Sequence, residues 1–216
     1  MTTLVARDLG RRPLRVVWND MQEFTQRRTT DTADEVWFVE HEPVFTLGLN
    51  ADRSHILDPG DIEVVQIDRG GQVTYHGPGQ LVAYVLLDLR RLDLGIRPLV
   101  ELLEHSLIET VGRYGINARS RRDAPGVYAG EAKLAAIGLR VRRGCSYHGL
   151  ALNVDMDLSP YSQIDPCGMR DLPVTQLRDF GVRRSLGEVG RDLLVSLDAA
   201  VRAYSDPAAV AVVSKP

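Results

Sequence analysis

The sequence predicts one α/β domain of the mixed α+β type, and three observations support this fold class. The chain has 216 residues, a length that fits one large domain. Its composition, 44% hydrophobic and 25% charged, is that of a globular protein able to bury a core. Short strand-like runs occur among fewer helices instead of alternating with them one for one, which argues against a doubly wound parallel sheet. We expect the domain to span residues 1–205, followed by a partly mobile tail at 206–216.

Eight apolar runs bounded by Gly, Pro or Asp predict β-strands. In chain order they cover residues 35–40, 44–49, 64–67, 72–75, 80–88, 126–128, 134–141 and 146–153. The glycine fingerprints of dinucleotide-binding and P-loop folds do not occur in the sequence, so a nucleotide-binding sheet is not expected.

Two segments repeat apolar residues at helical spacing. The first covers residues 99–114, with Pro98 near its start and Gly115 just beyond its end. The second covers residues 185–204, where Ser185 and Glu188 match a capping box. A weaker pattern at residues 18–28 predicts a third helix.

Charge and cysteine content restrict the possible partners and location. The chain carries 26 basic and 29 acidic residues, and a formal net charge of -3 gives no overall field for binding nucleic acid or an acidic membrane. Two cysteines cannot form a disulfide framework and suit a reducing compartment. Arginines interrupt the N-terminal apolar residues, so no signal peptide is expected, and no apolar run reaches the roughly 18 residues of a membrane-spanning helix. The sequence therefore predicts a cytoplasmic protein.

Three glycine-rich segments carry the candidate chemistry, and the first covers residues 68–80. Arg69, Tyr75 and His76 lie there among paired glycines, which allow a close approach of the backbone to a ligand. From the pattern alone, a hairpin with polar side chains is the favoured interpretation of this segment.

The second segment, residues 126–140, places a lysine in an apolar strand. Period-two alternation puts Lys133 on the same face as Ala135, Ile137 and Leu139, which is the expected core face. Either this side chain reaches water from the mouth of the strand, or its ammonium lowers the pKa of a neighbouring acid.

The third segment, residues 144–154 with 165–169, contains both cysteines. Cys145 follows a glycine at the start of a strand, where a cysteine usually serves as a packing residue. Cys167 lies between Pro166 and Gly168 in a bent loop, a setting that suits a nucleophile. Cys145 and His148 have the spacing of half a zinc site, but no second pair completes it, so a metal is not expected. No Gly-X-Ser-X-Gly motif indicates a serine hydrolase.

Taken together, these segments resemble the lipoyl(octanoyl) transferase family, also called lipoate-protein ligase B. Residues 69–80, 133–138, 148–154 and 166–168 carry the resemblance in this order, and it extends from about residue 18 to beyond residue 177. The resemblance implies the α/β fold of biotin and lipoate protein ligases. This fold has a mixed, largely antiparallel sheet flanked by helices.

The resemblance also implies an acyltransferase that moves an octanoyl group from octanoyl-acyl carrier protein to a lysine amine of lipoyl domains, the first step of endogenous protein lipoylation. The implied acceptors are the E2 subunits of 2-oxoacid dehydrogenases and the glycine cleavage H protein. The donor carries the acyl group on its phosphopantetheine, so neither ATP nor a metal is required as a cofactor. Cys167 is implied to form the acyl thioester, with Lys133 as its partner. The implied substrate-binding residues are Arg69, Gly70, Gly71, Gln72, Val73, Thr74, Tyr75, His76, Ala136, Ile137, Gly138, Gly149, Leu150 and Ala151.

The chemistry of the residues agrees with these roles. A nearby ammonium raises the thiolate fraction of a cysteine, and a neutral Lys133 could accept the proton that the acceptor amine loses. Backbone amides at 149–151 are candidate oxyanion donors, and His76 and His148 are expected to shape the pocket. Arginines at positions 119, 121, 122, 140, 142 and 143 form either a docking patch for an acidic carrier protein or a solvated face.

Two alternatives remain open from the sequence. An ATP-dependent lipoate or biotin ligase of the same fold would not need the Cys167 thiol. A non-catalytic module that binds acylated carrier protein would show binding without turnover.

Overall fold

In the computed structural model of the chain, the described residues are 4–205, and the side chains of residues 167 and 205 are not part of the description. The strands in chain order are β1 (Val5–Arg11), β2 (Glu35–Glu40), β3 (Val44–Leu47), β4 (Glu63–Gln66), β5 (Thr74–His76), β6 (Gln80–Leu86), β7 (Ala118–Ser120), β8 (Gly126–Ala129), β9 (Ala132–Arg142) and β10 (Cys145–Asn153). The α-helices are α1 (Leu14–Arg27), α2 (Ile96–Gly112) and α3 (Leu186–Ser205). Short 3₁₀ helices cover Arg53–His55, Ser159–Gln163, Pro166–Gly168 and Leu177–Phe180.

The strands form two sheets. The large sheet has seven strands in the order β1-β2-β6-β10-β9-β8-β7, and its only parallel pair within the described residues is β1 with β2. The small sheet has the order β4-β3-β5, with β3 parallel to β4 and antiparallel to β5. The expected mixed, largely antiparallel sheet flanked by helices is confirmed.

The two faces of the large sheet pack against different partners. One face packs against α2 and α3 through a large apolar core that includes Leu81, Leu103, Leu152, Val189 and Leu193. The opposite face packs against α1 and lies toward the small sheet, and Val17 and Met21 of α1 contact it. A cavity lies on this second face, so the packed core and the cavity are on opposite sides of the large sheet.

The helix predictions are confirmed, with shifted starts. The capping box of α3 forms as expected, since the Glu188 carboxylate accepts from Ser185 N at 2.9 Å and Glu188 N donates to Ser185 Oγ at 3.3 Å. Helix α1 begins four residues earlier than predicted, at Leu14, because Pro13 has φ −59° and the buried residues Leu14 and Val17 extend its apolar face. Helix α2 begins three residues earlier, at Ile96.

Two strands were not predicted, and both lie at the edges of the large sheet. Strand β1 is mostly exposed, and its Arg7 and Arg11 bond to Glu35 and Glu40 of β2 at 2.5 and 3.3 Å, so charged pairs replace apolar alternation. Strand β7 has three residues, too few for a pattern. The predicted strand at 72–75 begins two residues later, at Thr74. The expected tail at 206–216 lies outside the described residues. None of the described helices is long and apolar enough to cross a membrane.

Candidate active site

A narrow cavity lies between the second face of the large sheet and the small sheet. Most of the residues implied to bind substrate line it, namely Arg69, Gly71, Gln72, Val73, Thr74, His76, Ala136, Ile137, Gly138, Gly149, Leu150 and Ala151. Lys133 and Pro166 line the same cavity. Residues far apart in the sequence are therefore brought to one place.

The cavity floor consists of rows of residues that lie side by side on neighbouring strands. The valine row comprises Val82 of β6, Ala151 of β10 and Ala136 of β9. The tyrosine row, two residues further along the strands, comprises Tyr84, Gly149 and Gly138. In both rows, β9 and β10 contribute only Gly or Ala. The small side chains of the valine row leave room for a ligand above the sheet, whereas the Arg69 stem covers Gly138 in the tyrosine row.

Arg69 forms the opposite wall of the cavity and is buried. Its Nη1 donates to the carbonyls of Gly70 and Gln72 at 2.9 Å each, and its Nη2 donates to Thr46 O at 2.6 Å and Thr46 Oγ1 at 2.8 Å. The Arg69 stem lies over Gly138, where an added Cβ would come within 3.0 Å of Arg69 Cδ. The guanidinium thus holds the loop between β4 and β5 in place over the floor.

Lys133 is buried at the start of β9, with 3% of its surface exposed. Its Nζ donates to Pro125 O at 3.0 Å and to the Tyr128 hydroxyl at 3.2 Å. A Cβ at residue 126 would lie 2.9 Å from Lys133 Cε, so the lysine stem passes a position that only glycine leaves open. The ammonium is therefore held in a fixed position at one end of the cavity.

The prediction that Lys133 lies on the core face of its strand is wrong, and an irregularity in the strand pairing explains why. Val127 of β8 pairs with Ala135 of β9, and the next residue, Tyr128, pairs with Lys133. Leu134 therefore has no partner on β8 and forms a β-bulge. Leu134 and Ala135 both belong to the core, Ala135 also borders the cavity, and the Lys133 side chain lines the cavity. Simple alternation does not hold across such a bulge.

The turn that contains Cys167 lies against the same end of the cavity. Residues Pro166–Gly168 form one 3₁₀ turn, and Pro166 lines the cavity together with Val174 and Lys133. Gly168 has φ +70°, and a Cβ there would lie 3.0 Å from His55 Nε2, so this position favours glycine. The chain after this turn is fixed to β9, since Lys133 N donates to Pro173 O at 2.7 Å and Thr175 N donates to Lys133 O at 3.0 Å. The Cys167 thiol itself is not among the described side chains, so its role stays a prediction.

His76 is a buried neutral ring at the cavity wall. Burial, with the nearby His41 and Arg69, lowers the pKa of His76 to about 3. Its Nδ1 donates to Gln80 Oε1 at 2.7 Å, because the Gln80 amide nitrogen is the donor to Asn153 Oδ1 at 2.9 Å. Its Nε2 accepts from Thr46 Oγ1 at 3.3 Å. With both nitrogens bonded, His76 is part of the cavity wall, and its role in shaping the pocket stays a prediction.

His148 lies at the other end of the cavity in a polar network centred on Asp68. It has φ +59°, and its ring stacks on the neighbouring Tyr147 with centroids 5.0 Å apart. Asp68 accepts from His148 Nε2 at 2.8 Å, from the Tyr147 hydroxyl at 2.5 Å and from Trp18 Nε1 at 2.8 Å. Partial burial alone would raise the pKa of Asp68, but these hydrogen bonds outweigh it and hold that pKa well below its usual range. Burial lowers the pKa of His148, and Asp68 partly opposes this shift.

Not all implied binding residues reach the cavity, and others were missed. Gly70 and Tyr75 do not line it: Gly70 N donates to Leu139 O at 2.9 Å, and Tyr75 packs against Phe45 and Tyr161. The lining residues that the sequence did not indicate are Ile67, Val82, Tyr84, Ala135, Asn153, Tyr161 and Val174. Since every residue of β6 is buried, its sequence does not show which face lies toward the cavity.

The expected oxyanion donors at 149–151 are not available. These residues lie on β10 between two paired strands, β6 and β9. Amides in such a strand point within the sheet toward the neighbouring strands, not toward the cavity. Any stabilisation of an oxyanion therefore has to come from other groups.

The six arginines do not form one patch. Arg119 is opposite Tyr128, which is opposite Lys133, whereas Arg140 lies seven residues along β9, roughly 23 Å away at about 3.3 Å per residue. Arg119 is paired with Glu131, and Arg121 is paired with Asp123 at 2.7 Å. The arginines at positions 119 and 121 are thus engaged in surface ion pairs.

Cys145 is a packing residue, as expected. It is 2% exposed, and its Sγ is 3.8 Å from Arg143 O. Burial, together with the charge of Asp88, raises the pKa of its thiol, which disfavours the reactive thiolate. Among the described residues, no group of three or more His, Cys, Asp or Glu side chains is placed to hold a metal ion. The expectation that no metal is needed stays a prediction.

Comparison with solved structures identifies the class of fold. A lipoate-protein ligase A bound with ATP has a TM-score of 0.79 at 18% sequence identity, covering 93% of this chain and 86% of that chain. Biotin protein ligase from Aquifex aeolicus has a TM-score of 0.56 at 14% identity, covering 95% and 72%. The fold is therefore that of lipoate and biotin protein ligase catalytic domains.

Sequence comparison identifies the family. Residues 15–197 match the family described as Lipoyl protein ligase A/B catalytic domain. The octanoyltransferase of Hahella chejuensis is 59% identical over 178 residues, which cover 82% of this chain and 80% of that protein. The chain belongs to the Lipoyl protein ligase A/B catalytic domain family, and the resemblance that its motifs carry is confirmed.

Proposed function

We propose that this chain is an octanoyltransferase that carries the acyl group on Cys167 and delivers it to a lysine amine of a lipoyl domain. The main support is the cavity, which joins a fixed ammonium, the turn at Pro166–Gly168 and a floor of small residues. The 59% identical relative from Hahella chejuensis is named for octanoyl transfer.

In the proposed first half-reaction, the Cys167 thiolate attacks the thioester carbonyl of octanoyl-acyl carrier protein. A bond forms between the Cys167 sulfur and the acyl carbon, and the bond from that carbon to the phosphopantetheine sulfur of the carrier breaks. The carrier thiolate leaves and takes a proton from the Lys133 ammonium, which becomes neutral. The Lys133 ammonium, held by Pro125 O and the Tyr128 hydroxyl, stabilises negative charge at this end of the cavity.

In the proposed second half-reaction, the acceptor lysine amine attacks the Cys167 thioester. A carbon–nitrogen bond forms, the carbon–sulfur bond breaks, and the amine proton passes to Lys133 in its neutral form. Conversion of a thioester to an amide is downhill, so the cycle needs no ATP, and no proposed step uses a metal. One lysine then serves both halves of the reaction.

The floor of the cavity suits an unbranched acyl chain. Val82, Ala136 and Ala151 present only aliphatic groups along the path from the Lys133 end toward Tyr84. Each methylene buried there contributes about 0.8 kcal/mol. The polar groups at the walls, such as Arg69 and His76, bond within the protein and leave the acyl path apolar.

The proposed partners are octanoyl-acyl carrier protein as donor, and as acceptors the lipoyl domains of 2-oxoacid dehydrogenase E2 subunits and the glycine cleavage H protein. The near-neutral composition supports neither a nucleic-acid nor a membrane partner, and the two cysteines suit a cytoplasmic location.

A second candidate function is ATP-dependent ligation of a free acid. It is favoured by the similarity of the fold to a lipoate-protein ligase A bound with ATP. This activity would activate the acid as an adenylate and would not require the Cys167 thiol.

One experiment separates the two functions. The purified chain is incubated with octanoyl-acyl carrier protein and a lipoyl domain without ATP, and in parallel with free octanoate and ATP. The mass of the lipoyl domain is then measured. The proposal predicts octanoylation only with the carrier-bound donor, and a lipoyl domain whose acceptor lysine is replaced by arginine should stay unmodified. Modification only with octanoate and ATP would contradict the proposal.

A further inference from the structure

We infer that the Tyr84 ring, supported by His148, closes the far end of the cavity and sets the length of the acyl chain that the protein accepts. The inference rests on the proposed function, because it takes the end of the cavity at Lys133 and Pro166 as the position of the acyl carbonyl.

The spacing between the rows of the floor can be compared with the length of an acyl chain. Asn153 lies opposite Gln80 near the Lys133 end, and its Nδ2 donates to Thr175 O at 3.0 Å. Asn153 and Gly149, which belongs to the tyrosine row, are four residues apart on β10. The distance between them along the strand is roughly 13 Å at about 3.3 Å per residue. An extended octanoyl chain has seven carbon–carbon bonds of about 1.5 Å and spans roughly 9 Å. Such a chain passes the valine row and ends roughly 4 Å short of the tyrosine row, which is a contact distance between apolar groups.

The tyrosine row is narrow on both sides, because the Arg69 stem lies over Gly138 and a large ring occupies the β6 position. Gly138 and Gly149 carry no side chain, whereas Tyr84 and, beyond it in the same register, Trp37 of β2 are large and buried. His148 lines the same end of the cavity, with its ring centroid 6.1 Å from that of Tyr84. The terminal methyl group therefore meets two aromatic rings.

Hydrogen bonding fixes the Tyr84 ring. His41 Nδ1 lies 2.8 Å from the carbonyl of Arg12, which only accepts, so Nδ1 carries the proton. His41 Nε2 then accepts from the Tyr84 hydroxyl at 2.7 Å. A ring that is anchored at its hydroxyl and 4% exposed cannot move aside for extra methylenes, so the limit on chain length is sharp.

The inference is tested with Tyr84→Val and a series of hexanoyl, octanoyl, decanoyl and dodecanoyl carrier thioesters. Single-turnover transfer rates to a lipoyl domain are measured for each donor and normalised to octanoyl. Each newly buried methylene contributes about fourfold in binding, so the two extra methylenes of decanoyl should raise its relative rate roughly tenfold or more over the wild type. Tyr84→Leu, which fills more of the space, should extend the preference to decanoyl only.

Two variants serve as matched controls. Tyr84→Phe loses the hydrogen bond to His41 but keeps the buried ring, so it should keep the limit near octanoyl with a less sharp fall in rate for longer chains. Val82→Ala enlarges the cavity one row nearer to Lys133 on the same strand, and it should not extend the limit. An unchanged length profile in both Tyr84→Val and Tyr84→Leu, or an equal extension in Val82→Ala, would overturn the inference even where the wild type transfers octanoyl. A wild type that transfers no acyl group from any carrier would overturn the proposed function as well.

Discussion

The two faces of strands β9 and β10 differ sharply in composition, although they belong to the same sequence segments. On the helix side, Leu134 and Leu152 pack into a closed core against α2 and α3. On the cavity side, the same strands carry Ala136, Gly138, Gly149 and Ala151. The core face supplies the free energy of folding, whereas the cavity face gives up packing volume to hold a ligand. Substitutions on the core face should therefore lower mainly the stability of the protein, whereas substitutions on the cavity face should lower mainly its transfer activity.

The largest effect is expected at the Cys167 turn. Cys167→Ser should reduce octanoyl transfer by at least roughly a thousandfold, because removal of a catalytic nucleophile typically has effects of this size or larger. Cys145 is packed at the start of β10, and its Sγ is close to Arg143 O. A serine hydroxyl can also donate to this carbonyl, so Cys145→Ser should keep a transfer rate within about twofold of the wild type. Steady-state transfer rates measure both, and an equal loss in the two variants would show that the choice of nucleophile is wrong.

The next effect is expected at Lys133, which lies at the end of the cavity face. Lys133→Arg keeps the charge but removes a group able to accept a proton, and it should reduce transfer by about a hundredfold or more. Single-turnover measurements should show slower delivery from preformed acyl-protein to the lipoyl domain. Arg119→Lys, on the same side of the sheet but in a surface ion pair, is the control and should stay near the wild-type rate. Full transfer in Lys133→Arg would contradict the dual role of this lysine.

A pair of substitutions compares the two faces directly. Leu152→Ala, on the fully buried core face, should destabilise the protein by about 2–5 kcal/mol. Ala136→Val, on the cavity face, should change stability little but reduce octanoyl transfer about tenfold, because it displaces roughly two methylenes at about 0.8 kcal/mol each. Urea unfolding and transfer rates measure the two effects. Similar stability losses in both variants would show that the cavity face is packed as tightly as the core.

The smallest effect concerns pH and the neutral histidines of the cavity side. The pKa of His76 is about 3 in the folded protein and near 6.5 when unfolded. Below pH 6.5 the unfolded chain therefore binds a proton that the folded protein does not, and stability falls as the pH falls toward about 3. Between about pH 8 and about pH 5 the loss should be on the order of 2 kcal/mol from this group. The lowered pKa of Asp68 acts in the same direction at lower pH, since its contribution is present above the unfolded pKa and is lost on protonation.

Urea unfolding at the two pH values measures this loss. His76→Gln removes the titrating ring and should flatten the dependence, and His105→Gln, at an exposed position on α2, controls for replacing a histidine. A stability profile of His76→Gln as steep as that of the wild type would contradict the assignment.

The sequence predicts the fold class, eight of the ten described strands and the three α-helices because these elements carry turn residues and apolar periodicity. The conformation of edge strand β1 was missed because its pairing rests on Arg7–Glu35 and Arg11–Glu40 contacts between distant segments. Motifs located most of the cavity lining, but local pattern cannot show a bulge at Leu134 or a positive φ at His148. Because of these two irregularities, the side chains of Lys133 and His148 point toward the cavity. Both irregularities depend on pairing with other strands, so local sequence does not predict them.

The most direct test of the proposed mechanism is the position of the acyl group on the protein before any acceptor is added. The wild-type chain is incubated with octanoyl-acyl carrier protein at neutral pH without reductant, digested, and mapped by mass spectrometry. We expect a single hydroxylamine-sensitive octanoyl thioester on the peptide that contains Cys167. An octanoyl group on Cys145 or Lys133, or transfer to a lipoyl domain without any acyl-protein species, would contradict the mechanism.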